Sequence, residues 1–218
     1  MAELPEVIPV FPLPNAVLFP HVDLPLHIFE PRYRDMVRDA MAGDRLIGMV
    51  LLRGDWRKDY HGAPEVFPVG CVGRIERFAL LPDGRSNLVL HGLRRFKILE
   101  ELAGRTYRLA RVEWCADVPD PAGEAAGPAP RLKSSVSRLL ARRARELPAD
   151  LWERLPRDSE MLVNTLASVL DLEPIEKLAL LECDRVCERT ERLLEILEFH
   201  LARSGVPAST PRDDEPRH

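Results

Sequence analysis

The spacing of apolar residues changes partway along the chain. Up to about residue 115 they form short runs or alternate with polar residues, the two-residue period of strands. Beyond residue 131 they recur at three and four, the period of helices facing a core.

The first segment, Val7 to Phe29, is cut by Pro9, Pro12, Pro14, Pro20 and Pro25 into the β-type runs IPVF, AVLF and LHIF. Proline lacks an amide donor and is excluded from helix interiors, so this segment predicts extended edge strands that switch direction at turns. A helix follows. Pro31 suits a first-turn position, Tyr33, Met36, Val37, Ala40 and Met41 make one apolar stripe, and Gly43 is a C-terminal stop. LIGMVLL (46–52) predicts a buried strand, and RGDWRKDYHGAPE, carrying Trp56 and Tyr60, a polar mobile loop. In VFPVGCVGRIERFALL, Gly70 and Gly73 predict a bulge or a close backbone approach. LLPDGRSNLVLHGL reads as strand, Pro-Asp-Gly turn and strand, and RRFKILEE and YRLARVEW add two alternating runs.

DVPDPAGEAAGPAPR (117–131) reads as a linker. Helices are then predicted over LKSSVSRLLARRARE, with Leu132, Val136, Leu139 and Leu140 on one face, over 159–170 capped by Ser159, and over 174–182 opened by Pro174. A fourth is capped by Asp184 and carries Val186, Leu193, Leu194, Ile196 and Leu197. The fold class is α+β: a β domain over 1–116 with one early helix, a linker over 117–130, a helical bundle over 131–203 and a disordered tail over 204–218.

Charge narrows the function classes. Residues 1–115 hold 16 basic and 15 acidic residues and the remainder 15 and 20, so neither part is a concentrated basic surface for nucleic acid. No apolar stretch reaches the roughly 20 residues that span a bilayer, and acids precede the first apolar run, so neither a membrane segment nor a secretory leader is expected. The four cysteines form no C-x-x-C pair, which predicts reduced thiols in a cytoplasmic protein.

Candidate chemistry is thin. Glu30-Pro31-Arg32 reads first as a helix start with a local ion pair, because a carboxylate there meets the helix dipole. Contact with a bound polypeptide is the second reading. His21, His27, His61 and His91 show no metal-binding spacing, and no metal site or cofactor is expected. Cys183 and Cys187, four apart, fit buried small side chains better than half a metal site, and Cys71 and Cys115 lie in apolar β runs where a thiol is inert. Gly70-Cys71-Val72-Gly73 lacks the third glycine and the helix of a nucleotide fingerprint. Arg94 and Arg95 should point to opposite faces of a strand, in solvated or stacking roles. Phe11, Phe19 and Phe29, among stiffening prolines, are suited either to a groove for extended polypeptide or to filling the core.

PLPNAVLFPHVDLPLHIFEPRYRDMVRDAM, FPVGCVGRI, LHGLRRFKI, YRLARVE and LALLECDRVCERTERLLEIL together resemble the N-terminal, substrate-binding domain of Lon proteases, above all the stand-alone bacterial proteins built from that domain. The resemblance spans residues 7–202. It implies a PUA-like pseudo-β-barrel followed by a helical bundle, and a polypeptide-facing surface in the early region. On that basis Phe11, Phe19, Phe29, Glu30, Arg32 and Tyr33 are the peptide-binding candidates. No G-x-x-x-x-G-K-[ST] phosphate loop occurs, so neither the ATPase nor the Ser–Lys protease of full-length Lon is expected, and no catalytic residue is assigned. The expected function is non-catalytic recognition of unfolded or hydrophobic segments, as an adaptor or regulator of a separate protease, by a monomer or weak dimer. RNA binding by a PUA-like barrel is the alternative.

Overall fold

The computed structural model describes residues 4–59, 62–116, 118, 120, 129–142 and 155–203. Tyr60, most of the expected linker, the end of the helix expected over LKSSVSRLLARRARE and the whole expected tail lie outside the described residues.

Among the described residues, six strands and five α-helices follow in chain order: β1 (Val7–Leu13), β2 (Asp23–Ile28), α1 (Pro31–Ala42), β3 (Leu46–Leu52), β4 (Val66–Leu80), β5 (Ser86–Leu102), β6 (Arg108–Trp114), α2 (Ala129–Arg142), α3 (Ser159–Val169), α4 (Pro174–Leu181) and α5 (Val186–Arg203). A 3-10 turn, Trp56–Asp59, occupies part of the expected polar loop. The strand order is β2-β5-β4-β3-β1-β6, and a further pairing of β5 with β6 closes β5, β4, β3, β1 and β6 into a ring. β1 and β3 run parallel, and the other pairings are antiparallel.

β1 shows how prolines fit a paired strand. Residues 7–10 pair with β6 and residues 10–13 with β3. Val112 N–H donates to Glu6 O at 2.8 Å, which fixes the alternation: Ile8 and Val10 direct their backbone groups to β6, Pro9 to the other side. Pro9 thus faces the β3 side before that ladder begins, and Pro12 faces the β6 side after that ladder ends. Neither ladder loses a donor. β1 is therefore interior, against the expectation of an edge strand, while β2 pairs, among the described residues, only with β5 and is an edge.

β4 and β5 are long, at 15 and 17 residues, and outrun the ring. Beyond Arg74 and His91 they leave it as a ribbon to which β2 adds a third strand. The tip is the expected turn: Gly84 N–H donates to Leu81 O at 2.9 Å, with Gly84 at φ +79°. The glycine expectations hold as well. Register shifts between Val72 and Gly73, and a Cβ on Gly70 would strike the Met49 carbonyl oxygen and lie 2.7 Å from the Phe96 ring.

Strand alternation divides the buried residues into two cores. Ile8, Val10, Val50, Val72, Phe96, Ala110 and Val112 fill the inside of the ring. Phe11, Phe19, Met49, Leu90 and the α1 residues Tyr33, Met36 and Val37 form the second core, which is continuous with Leu132, Leu139, Leu166, Leu180, Leu193 and Leu197 of the helices. β3 is buried along its whole length because both its faces are covered.

Two expected caps differ. The N-cap of α3 is Asp158, whose carboxylate accepts from Met161 N–H at 2.9 Å, not Ser159. Asp184 does not cap α5: its Oδ1 accepts from Arg95 at 3.1 Å.

Candidate functional site

An exposed apolar surface lies where α1 meets the β4–β5 ribbon. α1 starts as its sequence dictates, with Pro31 in the first turn and Glu30 at the N-cap. The Glu30 carboxylate makes no capping hydrogen bond there; it accepts from Arg32 Nε at 3.0 Å, and the Arg32 guanidinium lies 4.6 Å from the Tyr33 ring centre. Tyr33 packs inward on Phe11, ring centres 4.2 Å apart.

Between α1 and the inner face of the ribbon runs a groove of about 650 Å³, floored by Val37, Met41, Phe78 and Leu80 and bounded on the helix side by Arg34 and Arg38. Phe78 is 40% exposed and Leu80 68%, although both stand on the strand face that buries Leu88 and Leu90 nearer the ring. The ribbon projects past the helices that would cover them. Arg34 crosses the mouth of the groove to the hairpin turn, where its guanidinium occupies the space a Cβ on Gly84 would take. On the opposite face of the ribbon lies a hollow of about 460 Å³, with Pro25, Val89 and Ala79 among His27, Arg77 and Asn87. Phe29, 58% exposed, stands at the junction of β2 and α1 and stacks on His27, ring centres 6.2 Å apart.

The edge of β2 has a particular chemistry. Gly92 N–H donates to Val22 O at 2.9 Å, so Leu24 and Leu26 direct their backbone groups to β5, while Asp23, Pro25 and His27 direct theirs outward. Proline at the middle of that outward row removes a donor and blunts the edge against an added strand.

The structure separates the expected site residues. Phe11, Phe19 and Tyr33 are buried; Phe29, Glu30 and Arg32 lie at or near the surface at the start of α1. Phe78 and Leu80 were not singled out by sequence reasoning, and Met41 was read only as part of the α1 stripe. The visible signal was the unbroken apolar pair at Leu80-Leu81 next to a Pro-Asp-Gly turn, where alternation alone calls for a polar residue.

Arg95 was expected to be solvated or stacked, and it is neither. It is 2% exposed and donates to Leu181 O at 3.2 Å, Asp184 Oδ1 at 3.1 Å and Asp184 O at 3.3 Å. Arg189, also 2% exposed, donates to Leu180 O at 3.1 Å, Cys183 O at 3.0 Å and Asn164 Oδ1 at 2.7 Å, and Asn164 Nδ2 donates to Pro20 O at 3.1 Å. Two arginines thus satisfy carbonyls at the C-terminal end of α4 and join the helices to the ring.

Three thiols show no sign of activation. Burial pushes Cys71 up to about 12, and burial also raises Cys115 and Cys183. Among the described residues no group of three metal-ligating side chains converges, and no helix is long and apolar enough to cross a membrane.

A closed five-strand ring carrying a projecting ribbon and packed against helices defines the class of protein, and sequence comparison gives the family. The model of the ATP-dependent protease La (LON) substrate-binding domain matches residues 7–198, and the chain belongs to that family. Lon protease of Cytophaga hutchinsonii is 32% identical over 200 residues, covering 90% of this chain and 24% of the relative. Lon protease of Anaeromyxobacter dehalogenans is 32% identical over 201 residues, covering 89% and 23%. The chain therefore spans about a quarter of the length of the curated relatives it matches. The crystal structure of a Lon N-terminal domain protein from Xanthomonas campestris superposes with a TM-score of 0.62 at 28% identity, covering 87% of this chain and 97% of that one. The N-terminal domain of the Mycobacterium avium complex Lon protease, at 19% identity and a TM-score of 0.66, shares the fold.

Proposed function

We propose that this chain is a non-catalytic Lon-like recognition module that holds unfolded or hydrophobic polypeptide segments in the groove between α1 and the ribbon. The exposure of Phe78 and Leu80 over that groove carries the reading, in a chain that belongs to the LON substrate-binding family. An apolar floor with charged walls suits side chains of many shapes, which is what recognition of unfolded chains requires. Phe29, Glu30 and Arg32 extend the contact surface around the start of α1. Binding is by side-chain insertion in the groove, because Pro25 disfavours strand addition along β2. The ring is of the PUA-like kind, and the module works as an adaptor or regulator for a separate protease.

RNA binding is not favoured. Arg32, Arg38, Arg77, Arg85, Arg108 and Arg111 each lie within ion-pair distance of a carboxylate, so the cationic field a polyanion needs is largely neutralised. Retention of denatured model proteins on the immobilised chain, together with suppression of their aggregation, tests the reading; failure of both would sink it.

A further inference from the structure

Arg34 differs from the neighbouring arginine of the groove, Arg38, and from Arg77 and Arg85 of the ribbon. Arg38 lies 2.8 Å from Asp35 and 3.3 Å from Asp39, Arg77 lies 3.7 Å from Asp23, and Arg85 lies 2.6 Å from Asp83. No carboxylate among the described residues lies within 4 Å of Arg34. Its stem leaves the first turns of α1 and its guanidinium reaches the tip of the ribbon at Gly84, beside Leu80. That position needs a residue without a side chain in the turn, so Gly84 provides both the positive φ and the space for the guanidinium. A charged, planar, five-donor group held at the mouth of an apolar groove, without an internal carboxylate partner, is a receptor for a carboxylate.

Resting on the polypeptide-binding reading, we infer that the groove selects segments in which an acidic residue adjoins apolar ones, the apolar side chains lying on Phe78 and Leu80 and the carboxylate meeting Arg34. Charge complementarity identifies this occupant. Of the groove-lining charges, Asp35 is engaged with Arg38, which leaves the Arg34 charge to be met by the ligand. A basic flank would place a like charge against Arg34 and is disfavoured. Selection is therefore by flank charge on top of apolar content, which a groove of hydrophobic side chains alone would not provide.

The test uses the full chain and three fluorescein-labelled unstructured peptides that share one Leu- and Phe-containing core, flanked by Asp and Glu, by Ser, or by Lys. Anisotropy titrations at low salt should give a dissociation constant about fivefold lower for the acidic peptide than for the Ser-flanked one, and a higher one for the Lys-flanked peptide. Arg34→Gln should bring the three together, and Arg34→Glu should reverse their order. Because Arg34 is exposed, unfolding does not confound either variant, and a thermal melt for each verifies this. Equal binding of the three peptides by the parent chain, or an acidic preference that survives Arg34→Gln, would overturn the inference and leave the general reading standing. Binding of none of the three would overturn both.

Discussion

Arg189 and Arg34 are both arginines set against apolar surroundings, and the structure treats them in opposite ways. At the joint between helices and ring, Arg189 is enclosed and its donors are met by Leu180 O, Cys183 O and Asn164 Oδ1. At the groove, Arg34 is exposed and no hydrogen bond from its guanidinium is found among the described residues. Satisfied buried donors make a rigid junction with one arrangement. A solvated donor beside exposed Phe78 and Leu80 leaves a surface whose partner must come from elsewhere. The difference separates structure from function: residues at the joint should govern stability, and residues at the groove should govern binding.

The largest expected effect follows from removing the enclosed guanidinium. Arg189→Met should lower unfolding free energy by about 3 kcal/mol in urea titrations, because two buried carbonyls and Asn164 lose their donor while the volume is kept. A loss under 1 kcal/mol would mean that water or side-chain repacking restores those bonds, and the joint would not be the rigid element.

Cys71 offers an internal reporter for the same contrast. It is fully buried, and the charges of Arg189 and Arg95 reach its sulfur. In the native chain at pH 8 it should resist iodoacetamide, since a thiol held near 12 presents almost no thiolate and no access. In Arg189→Met its alkylation, followed by mass spectrometry, should accelerate roughly 100-fold if the 3 kcal/mol is lost through opening. Unchanged protection in a destabilised variant would locate the opening elsewhere.

At the groove the expectation is inverted. Leu80→Ser should change stability by less than about 0.5 kcal/mol, because most of the side chain is already in water. The same change should weaken retention of denatured protein by about tenfold, as removal of a central apolar contact does. A stability loss above 2 kcal/mol would show that Leu80 belongs to the core and that the groove is not open.

The helix stripe of α1, the buried β3, the hairpin turn at Gly84 and the helical second half were all legible in the sequence, because each is written in local periodicity or turn chemistry. The ring closure was not. It depends on β5 pairing with β4 and, along its later residues, with β6, and no local pattern encodes a partner more than ten residues away. Buried Arg95 and Arg189 were equally hidden, since a charged residue in an alternating strand or on a helix reads as solvent-facing until the carbonyls that receive it are placed. Of the candidate site, the start of α1 was legible through Glu30-Pro31-Arg32. Phe11 and Phe19 were expected there because they are aromatic and near prolines, but Phe11 packs on Tyr33 of α1 and Phe19 is buried in the same core. Phe78 and Leu80 escaped notice because exposure at a ribbon tip is a matter of how far two strands outrun their neighbours.

The smallest expected effect concerns the outer side of α1, which must stay in place for the groove to keep its wall. Tyr107 O–H donates to Asp39 Oδ2 at 2.9 Å and ties α1 to the residue before β6. This hydrogen bond, followed by Arg38 and Arg105, holds the Asp39 carboxyl below the usual carboxylate range. A depressed folded-state value adds stability that is present above the unfolded carboxylate value of about 4 and fades as pH falls through the folded one. Tyr107→Phe should therefore cost about 1 kcal/mol at pH 7, and its difference from the parent should narrow below about pH 4 as Asp39 protonates. Urea titrations at pH 7 and pH 3 read this directly, and an equal difference at both would assign the loss to packing of the ring instead. Asp39 does not line the groove, so peptide binding at pH 7 should be unchanged in Tyr107→Phe. If binding falls with stability, α1 is held loosely enough that the groove and the joint are coupled, and the separation between them would have to be given up.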